Sequence, residues 1–94
     1  MNYHELGQAL GLLIADKQKQ YGDSFTRSDY VLQALYPKGI APHQYTDALA
    51  ITRVVDKLFR IAQRGPDGKD LGGESPWKDI AGYGLLGWAK DGGA

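Results

Sequence analysis

A chain of 94 residues with 11 basic and 11 acidic side chains is one domain long and has no net charge to draw nucleic acid or an anionic membrane. It contains no cysteine, which excludes disulfides, thiolate metal centres and thiol nucleophiles together. So short a chain buries only a modest core, and the apolar surface left over is expected to be hidden by self-association.

The opening residues MNYHELGQALGLLIADKQKQ put Glu5 ahead of a short apolar run and lack a basic lead, so no signal peptide is expected. The longest apolar stretch elsewhere, Ile80 to Ala89, is half a membrane span and rich in glycine. A soluble, cytoplasmic protein is expected.

Residues 3–19 read as a first helix. Leu6, Ala9, Leu10, Leu13 and Lys17 recur at steps of three and four, the spacing that lines one helical face. Gly7 and Gly11 stand one turn apart on a neighbouring face, with Ile14 completing the stripe. Glycine inside a helix costs roughly 1 kcal/mol relative to alanine, so two of them suggest a close helix–helix approach. Tyr21-Gly22-Asp23-Ser24-Phe25 is turn chemistry, with Asp23 or Ser24 placed to cap a second helix. Thr26-Arg27-Ser28-Asp29 has capping-box spacing, which predicts that this helix is short and runs from about Arg27 to Leu35. Tyr36-Pro37-Lys38-Gly39 ends it.

The third helix carries the strongest pattern. Pro42 suits its first turn and Gly65 its left-handed C-terminal position. Between them Ile51, Val54, Val55, Leu58, Ile61 and Ala62 form an apolar stripe, which makes this helix the expected core and Leu58 a buried site. Residues 65–74 lose both apolar content and periodicity and read as a mobile connector. Ser75 as N-cap and Pro76 at the first position open a fourth helix through Trp88. No segment alternates, so no strand is expected. The fold class is all-α: a compact bundle of about four helices over residues 1–94, completed by homo-oligomerisation through the glycine stripes, including Gly84 and Gly87.

Four features invite a chemical reading. Asp67, Asp70 and Glu74 in the connector are oxygen ligands, but their order is not that of a calcium loop and no Walker sequence is present. His4 and His43 lack the spacing that sets two ligands on one helical face. Arg53, Asp56, Lys57, Arg60 and Arg64 fall on one face of the third helix. The plain account is a solvated, ion-paired surface; the functional one is a row of cations that receives phosphates. Tyr21 to Phe25 reads either as an aromatic-packed turn or as a loop presenting an acid and a hydroxyl between two rings that stack a base.

Taken in order, YGDSF (Tyr21 to Phe25), RVVDKLFR (Arg53 to Arg60), the Glu74-Ser75 pair and DIAGYGLLG (Asp79 to Gly87) resemble the nucleotide-modification-associated domain 1 proteins of phages and prophages. That family is helical and is itself compared with MazG-type nucleotide pyrophosphohydrolases, which hold magnesium with helix carboxylates. The resemblance implies a nucleotide-binding or nucleotide-metabolism protein, such as a magnesium-dependent nucleoside triphosphate phosphohydrolase. It implies a site of Asp23, Asp56, Glu74 and Asp79 around Mg2+, with Arg53, Lys57 and Arg60 on phosphates and Tyr21 or Phe25 on the base. The chain departs from the pattern in the short Pro76-Trp77-Lys78 interval and in lacking an E-E-x-x-E helix, which leaves few carboxylates for two-metal chemistry. The alternative reading is a small non-enzymatic accessory or anti-defence protein that binds a host protein or sequesters a nucleotide ligand.

Overall fold

The computed structural model describes residues 2–68 and 73–93. Among them are four α-helices and no strand: α1 (Tyr3–Tyr21), α2 (Ser24–Leu35), α3 (Tyr45–Ala62) and α4 (Pro76–Lys90), with one 3-10 turn at Pro42–Gln44. The all-α class and the four-helix count agree with the periodicity. Residues 69–72, which include Asp70 of the acidic connector, lie outside the described residues.

α1 begins where Asn2 accepts the Glu5 amide through Oδ1 at 2.9 Å, the bond that an N-cap side chain supplies to an orphan donor. It ends at Gly22, which is left-handed at φ 57 and returns its amide to the Gln18 carbonyl. Asp23 is left-handed as well, at φ 60. Two successive left-handed residues reverse the chain at once, so α2 starts at Ser24, three residues earlier than the capping box predicted. Thr26 is therefore not a cap but a first-turn residue, and its hydroxyl donates to the Asp23 carboxylate. A side chain at Gly22 would also push aside the flexible end of Gln63 just past α3, but it is the left-handed φ that favours glycine there.

α3 is the hub, packed by α1, α2 and α4 alike. Its entry is the 3-10 turn, where the Ala41 amide donates to Gln44 Oε1 at 2.9 Å. Pro42 thus precedes the α-helix instead of opening it. Its exit is Gln63; Gly65 is not left-handed, so the expected C-terminal glycine cap does not form. The buried apolar side chains of α3 are Ala48 and Val55, which lie seven residues, two turns, apart. α2 presents the small buried residues Ser24 and Ser28, with Ser28 Oγ donating back to the Ser24 carbonyl at 2.5 Å. The Arg27 guanidinium sits 4.9 Å from the Phe59 ring and fastens α2 to α3. Leu58 is a correction: it is 46 % exposed because the buried seam runs along 48 and 55, leaving Leu58 at its edge.

Pro76 is fully buried and occupies the first position of α4, while Ser75 makes no capping bond through its side chain. A side chain placed at Gly7, Gly11, Gly82, Gly84 or Gly87 would meet nothing within 4 Å. No described helix of this chain therefore closes on the glycine stripes. Every residue from 2 to 19 is exposed, so α1 reaches out from the hub, attached near its C-terminal end. The molecule measures 48 × 33 × 25 Å, and no described helix is long and apolar enough to cross a membrane.

Candidate functional site

Three helix segments meet where α1 ends. Gly22 stops α1 so that Tyr21 lies against α3; the spacing of α3 puts Arg53, Asp56, Lys57 and Arg60 along that contact; α4 brings Asp79 in its first turn and Tyr83 one turn later. Lys57 is at the centre. Its Nζ stands 3.4 Å from Asp79 Oδ2, donates to the Tyr21 hydroxyl at 3.5 Å and lies 5.7 Å from the centre of the Tyr21 ring. Partial burial pulls the Lys57 ammonium down, but Tyr21 and Asp79 together outweigh it and hold its pKa above the ordinary lysine value. The group is a permanent cation.

The Tyr21–Lys57 pair divides two depressions. One is lined by Lys17, Gln20, Tyr21, Lys57, Arg60, Gly73, Glu74 and Asp79, with a volume of about 570 Å³. The other is lined by Tyr21, Arg53, Asp56, Lys57 and Tyr83, and in it the Arg53 guanidinium lies 5.9 Å from the Tyr83 ring centre. The first is large enough for a small organic ligand, and its lining is mainly polar. Cations beside aromatic faces, in a dish open to solvent, can hold an anionic group while a ring stacks alongside.

The expected site residues therefore fall into three sets. Tyr21, Arg53, Asp56, Lys57, Glu74 and Asp79 line these depressions. Arg60 lines the first, yet it is only 7 % exposed and gives a guanidinium NH to the Glu74 carbonyl oxygen; it ties the approach to α4 onto α3. Phe25 is 89 % exposed and lines neither depression, so it does not form the second wall of a base slot with Tyr21. Asp23 lies in neither depression, and it accepts bonds from Thr26 and from Gln18 Nε2, the latter at 2.7 Å. Those two bonds, helped by Arg27, lower its pKa below 3.8.

Among the described residues, no three His, Asp or Glu side chains gather as metal ligands do. Asp23, Asp56, Glu74 and Asp79 thus do not gather into one cluster within the single chain. One ion pair runs from α3 to α4, Lys57 to Asp79, and another joins Lys90 of α4 to Asp47 of α3. Lys17, Gln20 and Tyr83 join the site without having been expected there. Tyr83 was within reach, in the Ala81-Gly82-Tyr83 segment of the resemblance; Lys17 falls on the α1 stripe, and Gln20 carries no pattern. His4 at the start of α1 and His43 in the 3-10 turn stand outside both depressions. No protein family, curated protein or solved structure matches the chain.

Proposed function

We propose that the chain binds a nucleotide or another phosphate-bearing small molecule at the Tyr21–Lys57 divide. It acts as a phage- or prophage-type protein of nucleotide metabolism, in the cytoplasm and as a homo-oligomer. The observation that carries this reading is the placement of Lys57 and Arg53 beside the Tyr21 and Tyr83 rings in adjoining depressions. Phosphate oxygens would be taken by Lys17, Lys57 and Arg53, and a base would stack on Tyr21 or Tyr83. Asp79 already neutralises part of Lys57, which suits an exchange of carboxylate for phosphate. Magnesium would arrive with a triphosphate, coordinated by its oxygens.

The test is calorimetry against nucleoside mono-, di- and triphosphates, with and without magnesium. Lys57→Ala and Arg53→Ala should each weaken binding tenfold to hundredfold, about 1.5–3 kcal/mol for a charge-assisted contact, while Phe25→Ala should leave it unchanged. No heat from any nucleotide at millimolar concentration sinks the proposal. It would then favour the second reading, a non-enzymatic accessory or anti-defence protein that binds a host protein. One observation supports that reading: the exposed leucine-bearing face of α1.

A further inference from the structure

A monomeric protein of this mass, 10.3 kDa, exposes about 5,400 Å². This chain exposes 7188 Å², an excess of about 1,800 Å² over that scaling. Its radius of gyration is 16.2 Å, against about 12 Å for a compact domain of this length. The excess falls within what each partner buries in an obligate homodimer, about 1,000–2,500 Å², half of a two-partner total of about 2,000–5,000 Å². The zero net charge sets no repulsion between two copies.

Of the four α-helices, α1 alone holds no buried residue. Tyr3, Leu6, Leu10, Leu13, Ile14 and Lys17 share one face at helical spacing, and all of them are exposed. A helix of about 28 Å with two open glycines is marginal in water without a partner.

We propose that this face pairs with the same face of a second copy, antiparallel about a two-fold axis at Leu10. This rests on the homo-oligomeric reading above, and Lys17 is common to the pairing and to the first depression. The stripe is matched to its own reverse. With Leu10 against its own copy, Leu6 falls beside the partner's Leu13 and the partner's Ile14. The Tyr3 ring then falls beside the partner's Lys17, a cation–aromatic contact. A parallel pairing would set the two Lys17 ammonium groups against each other. The pairing also pins α1, and with it the Lys17, Gln20 and Tyr21 side of the first depression.

The test uses the absence of native cysteine. Light scattering of the unaltered chain at tens of micromolar should give twice 10.3 kDa. Under mild oxidation Leu10→Cys should cross-link nearly completely, since a two-fold contact brings both α-carbons within disulfide range, below about 7 Å. Leu85→Cys, on the exposed face of α4, should not. A monomer in light scattering overturns both the pairing and the oligomeric reading. A dimer in which Leu10→Cys fails to cross-link, or cross-links no better than Leu85→Cys, overturns the α1 pairing and leaves the oligomer standing. Leu10→Asp should also give a monomer, and circular dichroism should show it losing helix equivalent to α1 while α2 to α4 remain.

Discussion

α3 and α1 are nearly equal in length, 18 and 19 residues, and each carries an apolar stripe, yet they stand in opposite situations. α3 is covered from three sides and holds the buried residues Ala48, Val55 and Arg60. α1 buries nothing. A stripe that reads the same in sequence becomes a core in one case and a free surface in the other. The difference lies in what the connections allow: the two-residue reversal at Gly22 and Asp23 sends α2 straight to α3 and leaves the body of α1 outside. Stability is therefore uneven along the chain, and the polar dish at the end of α1 lies on the boundary between the firm and the free part.

The largest expected effect separates these two regions outright. Val55→Asp puts an unpaired charge where little else is buried, at a cost of several kcal/mol. In a small domain whose whole stability is about 5 kcal/mol this should abolish the cooperative unfolding transition. Amide exchange of the native chain should draw the same line: protection in α3 independent of protein concentration, protection in the first three turns of α1 falling on dilution. Equal, concentration-independent protection of both helices would erase the distinction.

The same contrast governs how far these regions were legible in sequence. Helix identity is local, so the periodicity, the terminators Gly22 and Pro37 and the opening Pro76 place all four helices to within a few residues. Which side of a helix is buried depends on its neighbours, and there the pattern misleads. Leu58 lies on the predicted stripe of α3, but the seam against α2 and α4 is rotated toward Ala48 and Val55. Arg60 illustrates the matching slip in the site. As one of three cations on α3 it has the look of a phosphate ligand; its guanidinium instead donates to the Glu74 carbonyl, fourteen residues on, a contact with no periodic signature. Lys57 does stand in the site, while its partner Asp79 belongs to another helix and pairs with a cation where the resemblance implied a metal.

Two intermediate effects sharpen the comparison at its hinge and at its edge. Gly22→Ala forces a β-carbon into the left-handed region and toward Gln63, so it should destabilise by about 1–2 kcal/mol in denaturant titration. It should also loosen the α1–α2 reversal, seen as faster exchange at Tyr21 and Ser24. Leu58→Ala should cost about 1 kcal/mol, less than the 2–5 kcal/mol of an emptied core site, because nearly half of the side chain already meets water. A loss above about 3 kcal/mol would place Leu58 in a true core, and so in an interface that a single chain does not form.

The smallest effect concerns Asp23, at the join of the two regions. Thr26, Gln18 and Arg27 lower its folded pKa below the ordinary 3.8, so the folded state binds its proton less readily than the unfolded chain does. Its contribution is complete at pH values above 3.8 and is lost as the pH falls through the lower folded value. The carboxylate lies at the surface of the reversal, so the loss should be slight, and its sign is the informative part. Asp23→Asn should lower stability at neutral pH and converge with the native chain in strong acid, where both carry a neutral group. Thr26→Val, which removes the principal donor, should raise the Asp23 pKa, measurable by carboxyl carbon titration in NMR. A titration of Asp23 unchanged by Thr26→Val would mean that the reversal is held by its backbone alone, and that the side-chain bonds across it contribute nothing to where α1 points.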